Sequence, residues 1–207
     1  MQYNNLGYGL VSMAMSRRTG QSYGDLLQSR ILLPLGLDRT GVELDPQTVD
    51  DMAKIYMASE DANAIENTRP LYQKNSVMIA SGRIYSFIDD LLVFYRELLD
   101  TAVQPMMGSD NSSATGTKSP LKQLATILSG RTFLPTQRQS ILERTYGLGW
   151  VRTQLPGELG VLGLNPWLVK KMPIAGRVSP SRLTIYHQGN VPGATSPSTS
   201  FPKRGAG

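Results

Sequence analysis

The chain contains no cysteine, a single histidine and no apolar stretch that approaches the length of a membrane span. The first absence excludes disulfides and thiol chemistry, and it is compatible with any compartment. With one histidine and no His/Asp/Glu/Cys cluster at metal-ligand spacing, no metal site is expected, and no cofactor either. Long runs of one charge are also missing. The balance is +5 with a pI near 9.5, yet Arg17-Arg18 and Lys170-Lys171 are the longest basic runs, and no aromatic-interleaved basic patch accompanies them. Nucleic acid is therefore not an expected partner. No glycine-rich phosphate loop follows a predicted strand, and the N-terminus has no signal-peptide pattern.

What is present suits one globular domain. The 207 residues are 40% hydrophobic and 18% charged, enough for a sizeable core. A helix is predicted from about Leu6 to Arg18, with Leu6, Leu10, Met13 and Ala14 along one face and Gly20 as its stop. Ser22-Tyr23-Gly24-Asp25 is a capping box, and its helix should end at about Leu33, before Pro34 and Gly36. Residues 50–59 fit a helix or a strand, and 60–75 read as polar and irregular. Ser86-Phe87-Ile88-Asp89 is a second capping box. It opens a helix to Asp100 whose stripe of Phe87, Leu91, Phe94, Tyr95 and Leu98 reads as core. Residues 104–120 predict a mobile surface loop. Short helices are expected over 121–129 and 135–143, a strand over 147–153, a pocket-lining connection over 157–181 and a strand over 183–186.

Two polar motifs stand at opposite ends of this pattern. Tyr3-Asn4-Asn5 offers a phenol and an amide at the mouth of the first helix, where Asn5 would also serve as an ordinary N-cap. His187-Gln188-Gly189-Asn190 follows the last predicted strand, where the histidine could equally be satisfied by backbone. Between them lie three more stretches: Pro34-Leu35-Gly36-Leu37-Asp38-Arg39-Thr40, then Ala80-Ser81-Gly82-Arg83-Ile84-Tyr85-Ser86 with Asp89-Asp90-Leu91, then Tyr146-Gly147-Leu148-Gly149-Trp150. In this order the five resemble the serine β-lactamase, penicillin-binding protein and esterase superfamily, most closely its class C-like branch, over residues 1–196.

The resemblance implies an α+β fold of the β-lactamase/transpeptidase type, an antiparallel sheet flanked by helices with a helical region beside it. It also implies chemistry on a small-molecule ester or amide through a serine acyl-enzyme, as a hydrolase or an acyltransferase. Tyr3 matches the tyrosine that passes the serine proton to the leaving group, and is the one catalytic residue carried over. Asn5, His187, Gly189 and Asn190 match substrate-binding positions. Asn5 would orient the acyl group, Gly189 would admit the substrate close to the backbone, and the Asn190 N–H would be half of an oxyanion hole. His187 stands where β-lactamases have lysine, which points toward esterases and acyltransferases.

The family's nucleophile motif, Ser-x-x-Lys, should precede Tyr3, and it is absent there. Ser119-Pro120-Leu121-Lys122 and Ser200-Phe201-Pro202-Lys203 fit the letters but follow Tyr3 and carry proline where a buried helix is needed. The chain thus reads as a fragment, incomplete at both ends, whose own activity is uncertain and whose compartment is not placed. Residues 1–196 are taken as a partial domain, and 197–207 as a disordered natural tail or aberrant sequence without strand character, since Pro197 and Pro202 exclude central pairing. The alternative is a non-catalytic protein of this fold that binds acyl compounds or a partner.

Overall fold

The computed structural model of the chain describes residues 4–44, 46–67, 76–103, 119–134, 144–159, 174–178, 180–191 and 194–200. They fall into two compact units, one running through Arg96 and the other from Glu97 to Val191 and over residues 195–200.

The first unit opens with helix α1, Asn5–Thr19. Its N-cap is Asn4 rather than Asn5: the Asn4 side chain accepts from the Leu6 N–H at 2.9 Å, satisfying a donor that has no intrahelical partner. Gly20 ends the helix in the left-handed region, φ 72°. The expected apolar stripe is corrected, because Leu6, Leu10 and Met13 are exposed while Gly9 and Ser12 are buried. The reason is backbone approach. A Cβ on Gly9 would stand 2.1 Å from the Val77 carbonyl oxygen, so the bare glycine lets α1 lie against the segment around Val77. Ser12 tolerates burial by donating to the Gly9 carbonyl at 2.7 Å.

The capping box at Ser22 forms as predicted, with the Asp25 N–H donating to Ser22 Oγ and the Ser22 N–H to the Asp25 carboxylate. The helical run goes beyond Leu33, as α2 (Tyr23–Leu27), a π segment (Gln28–Leu32) and α3 (Leu33–Leu35). In the π segment the Leu33 N–H donates five residues back, to Gln28. That widened turn eases the clash a proline ring makes with the carbonyl four residues before it, so Pro34 sits inside the run. Gly36 at φ 67° then closes it, with the Leu37 N–H on the Leu32 carbonyl at 2.9 Å.

Helix α4 (Pro46–Asp51) leads to a hairpin of β1 (Ile55–Ala58) and β2 (Ala64–Asn67), paired from Ile55↔Asn67 to Ala58↔Ala64. The ambiguous 50–59 stretch is thus helix and then strand, and 64–67, read as irregular, is strand. Lys54, just before β1, pairs with Glu66 of β2 at 3.0 Å.

Helices α5 (Ile79–Gly82) and α6 (Ile88–Val103) follow. The second capping box does not form. Ser86 Oγ lies 2.7 Å from Thr40 Oγ1, and Thr40 Oγ1 donates at 2.7 Å to the Asp90 carboxylate, which also accepts the Arg39 N–H at 3.0 Å. Gly41 and Tyr85 exchange backbone hydrogen bonds, Arg83 Nε donates to the Val42 carbonyl at 2.7 Å, and the Arg39 guanidinium sits over the Phe87 ring at 3.4 Å. On α6, Leu98 is buried but Leu91 is exposed, which narrows the predicted core stripe.

The second unit holds helix α7 (Leu124–Ile127) and strands β3 (Thr132–Phe133), β4 (Arg144–Tyr146), β5 (Val151–Leu155), β6 (Gly157–Glu158), β7 (Ile174–Ala175), β8 (Arg182–Val191) and β9 (Ala194–Ser200). A five-stranded sheet has the order β3-β4-β5-β8-β9, and β6 pairs with β7 separately. The pairs β3/β4, β4/β5 and β5/β8 are antiparallel. One face of the sheet is the unit's core: Val151, Leu155, Thr184 and Tyr186 are fully buried, with Thr153 and Arg144 beside them. The α+β class with an antiparallel sheet is the observed one.

Two strand expectations are corrected. Gly147 to Trp150 is not strand but the turn between β4 and β5, with Gly149 at φ 84° and the Gly147 N–H on the Trp150 carbonyl. A Cβ on Gly147 would come within 2.5 Å of the Ser129 carbonyl oxygen, so the turn rests directly on the chain after α7. The sequence after Ala194 does carry a strand over 194–200. Pro197 fits there because β9 is the outermost of the described strands of the sheet, where one side needs no ladder bonds. Residues 104–118, 135–143 and 201–207, and most of the 157–181 connection, lie outside the described residues.

Candidate functional site

Of the five site residues expected from sequence, Tyr3 lies outside the described residues. Asn5 is the first residue of α1, in the first unit. It is half-buried, and its amide makes no hydrogen bond to the described residues. Freed of the capping task by Asn4, it presents an unspent donor and acceptor at the helix mouth.

His187, Gly189 and Asn190 come together on one strand. The predicted strand over 183–186 extends to Val191, so these residues are part of the ladder rather than a loop after it. Strand β8 runs between β5 and β9, and its pairing with β5 from Arg182↔Leu155 to Tyr186↔Val151 fixes its position along the sheet. The register stops at Tyr186, one residue before His187, where β5 gives way to the turn at Trp150. His187 therefore stands just past the segment that pairs with β5. A rigid strand anchored by the buried Ile185 and Tyr186 carries it.

The His187 ring has a neighbour that the sequence did not reveal. Tyr146, the last residue of β4, places its hydroxyl 3.4 Å from His187 Nε2, with ring centroids 6.4 Å apart. The two are 41 residues apart in the chain. Only the strand register brings them together, so no local spacing could have signalled the pair. Burial pushes the His187 imidazole below its ordinary pKa, because desolvation disfavours the charged ring. At neutral pH it is a neutral group with one donor and one acceptor nitrogen, unlike the ammonium of a lysine.

Below His187, on the buried face, Arg144 Nη2 donates to the Tyr186 hydroxyl at 3.2 Å, while Arg144 Nε, Thr184 Oγ1 and Gln188 Oε1 have no partner among the described residues. In the first unit, a groove of about 780 Å³ runs between α1 and the α2–π stretch, walled by Val11, Met15, Tyr23 and Leu26 with Arg18 and Arg30 in its lining. None of the described site residues lines it. No cluster of metal-ligating side chains exists among the described residues, and none of their helices is long and apolar enough to cross a membrane.

Neither serine of the two Ser-x-x-Lys matches lies on a helix. Residues 119–123 are irregular, and Ser119 Oγ is engaged with Thr101 Oγ1 at 3.0 Å and the Leu121 N–H at 3.2 Å. Ser200 ends strand β9.

Comparison with known proteins agrees with this architecture. The Beta-lactamase family model matches residues 1–202. Penicillin-binding protein 4* of Bacillus subtilis is 25% identical over 162 residues, covering 74% of this chain and 32% of that protein. An unguisins hydrolase of Aspergillus campestris is 27% identical over 151 residues, 72% of this chain and 26% of its own length. Among solved structures, a class C beta lactamase from Rhodobacter sphaeroides superimposes with a TM-score of 0.62 at 20% identity, over 97% of this chain and 52% of that one. The chain thus spans about a third or less of the curated relatives and about half of this structural neighbour.

Proposed function

The chain belongs to the Beta-lactamase family, and from that premise we propose that it carries the acyl-binding part of a serine hydrolase or acyltransferase acting on an ester or amide. The observation that carries this reading is the family match over nearly the whole chain, with His187, Gly189 and Asn190 on one anchored strand. In this reading Tyr3 transfers the proton between the nucleophile and the leaving group. The Asn5 amide orients the acyl carbonyl. Gly189 leaves room for the substrate beside β8, and the Asn190 N–H donates to the oxyanion. A preorganised donor of that kind lowers an acyl-transfer barrier by ~3–4 kcal/mol. The neutral His187 favours an uncharged ester over a carboxylate-bearing substrate, which a lysine would hold by charge. The nucleophile is not among this chain's Ser-x-x-Lys matches, so the chain binds an acyl ester without turning it over.

The test is a titration of the full chain with p-nitrophenyl butyrate, following the imidazole signals of His187 by NMR. Since His187 is the only histidine, its signals need no assignment. Saturable shifts without release of p-nitrophenol above the buffer rate are expected. Unmoved His187 signals at millimolar ester would refute the binding role, and steady turnover would refute the missing nucleophile.

A further inference from the structure

We propose that the groove between α1 and the α2–π stretch binds an aliphatic carboxylate, with the chain along its apolar floor and the head on Arg18. The groove, of about 780 Å³, lies wholly within the first unit. That is the size of a small-molecule site, about 300–1,000 Å³. Both walls repeat one pattern. Val11, Met15 and Arg18 stand at i, i+4 and i+7 on α1, and Tyr23, Leu27 and Arg30 have the same spacing on the facing stretch. Residues so spaced share a helix face, so each wall offers an apolar stripe that ends in a guanidinium. Val11 and Met15 are exposed to 57% and 43%. Covering such side chains from water is favourable, which suits the alkyl chain of a ligand.

Charge selects the head group. No acidic residue lines the groove, and neither Arg18 nor Arg30 makes an ion pair or hydrogen bond among the described residues. One solvated arginine on a surface is ordinary. Two beside a single apolar trough, with no carboxylate to balance them, make a field that attracts an anion. Arg18 is in the last turn of α1 and Tyr23 is the first residue of α2, with only residues 20–22 between the helices. The guanidinium and the phenol are thereby brought to the linked end of the groove. The Tyr23 hydroxyl has no partner among the described residues, and burial pushes its pKa above the ordinary phenol value, so it stays a donor. A carboxylate has two oxygens and can accept from both groups. Arg30, about two turns along, adds attraction at longer range. None of the described site residues lines this groove, so its ligand does not rest on the acyl-ester reading.

The experiment is a calorimetric titration of the full chain with decanoate, decanol and decyltrimethylammonium, which share a chain and differ in head charge. Saturable binding of decanoate at one site is expected, with decanol weaker and the cation weakest. Octanoate, two methylenes shorter, should bind about 15-fold more weakly than decanoate, since each buried methylene contributes about fourfold. Arg18→Gln should weaken decanoate about fivefold and leave decanol unchanged, a split that a folding defect would not produce. Ala14→Trp sets an indole into the groove lining and should abolish binding of both. Equal affinity for decanoate and decyltrimethylammonium would overturn the proposal. So would no saturation at millimolar decanoate, or undiminished decanoate binding by either folded variant. A chain that sediments as a dimer, and as a monomer after Ala14→Trp, would also overturn it, because a second copy would then fill the groove. Failure of p-nitrophenyl butyrate to move the His187 signals leaves these results untouched and sinks only the acyl-ester reading.

Discussion

The contact between Thr40 and the start of α6 yields a stability prediction that can be worked from the structure. Asp90 is buried, and its carboxylate takes the Thr40 hydroxyl at 2.7 Å and the Arg39 N–H at 3.0 Å. A carboxylate can only accept, so the one Thr40 hydroxyl proton is committed to it. The 2.7 Å contact between Thr40 and Ser86 must then run from the Ser86 hydroxyl to Thr40. Thr40→Val removes that relay at nearly constant volume. A hydrogen bond to a charged group contributes about 1.5–3 kcal/mol, so a loss of ~2 kcal/mol is expected. Asp90→Ala removes both bonds, leaves the Arg39 N–H without its acceptor and the Thr40 hydroxyl with only the neutral Ser86 contact, and forfeits a favourable acid in the first turn of α6. A loss of ~3–4 kcal/mol should result.

The double variant distinguishes this account from two unrelated lesions. Once Asp90 is gone, Thr40→Val has only the neutral Ser86 bond left to lose, so the pair should cost ~1 kcal/mol more than Asp90→Ala alone. That implies a coupling of ~1 kcal/mol. The helix-dipole contribution is absent from both arms that lack Asp90 and cancels in the cycle. Urea unfolding followed by far-UV circular dichroism gives all four values. Additivity within ~0.5 kcal/mol, or a Thr40→Val chain as stable as the wild type, would refute the reasoning. Against a total stability of ~5–15 kcal/mol, such a loss is a substantial fraction.

Three further outcomes are expected elsewhere in the chain. Gly9→Ala should destabilise by ~1–3 kcal/mol despite alanine's higher helix propensity, because its Cβ would meet the Val77 carbonyl oxygen at 2.1 Å; a raised melting temperature would contradict this. His187 has a folded pKa below its unfolded value, so below pH ~6.5 the unfolded chain takes the proton first. Its contribution is intact above that pH and is lost as pH falls toward the folded pKa. His187→Gln should therefore flatten part of the decline in urea midpoint between pH 7 and pH 5, and an unchanged slope would argue against the burial effect. In a form of the protein that turns over esters, Tyr3→Phe should lower kcat by ~10²–10⁴-fold, and unchanged kinetics would remove Tyr3 from proton transfer.

The helices were legible where the signal is local. The cap at Ser22 and the stop at Gly20 depend on side chains within three or four residues of each other, and both stand as read. The face that α1 buries was not legible, because it is chosen by what is small enough to admit a neighbouring backbone and not by what is apolar. Leu6 and Leu10 made the better stripe, but Gly9 made the contact. Pro34 misled for a related reason: its clash is with one carbonyl, and a π turn upstream removes that clash without ending the helix. Pro197 excluded a central strand correctly, but β9 is an edge, where the exclusion does not apply.

The motif stretches that pointed to the family divide by what their residues do. Thr40, from the stretch after Pro34, and Asp90, from the stretch before Leu91, bond to each other across fifty residues. They read as two signals in sequence and are one fastening in space. Gly147 and Gly149 shape a turn that rests on the chain after α7, and Tyr146 beside them reaches His187. A match to such letters therefore testifies first to the fold, since a fastening or a turn is needed whatever the substrate. In the proposed reading, Tyr3, Asn5 and the residues from His187 to Asn190 are the ones that bear on chemistry. Among these, Asn5 is the one that the described structure leaves without a structural task, because Asn4 already caps the helix. An amide kept half-buried at a helix mouth and spent on nothing local is available to a ligand. Replacing Asn5 with alanine should accordingly leave the urea midpoint within ~0.5 kcal/mol of wild type while weakening p-nitrophenyl butyrate binding. A variant that unfolds more readily but binds equally well would return Asn5 to the ordinary business of holding a helix.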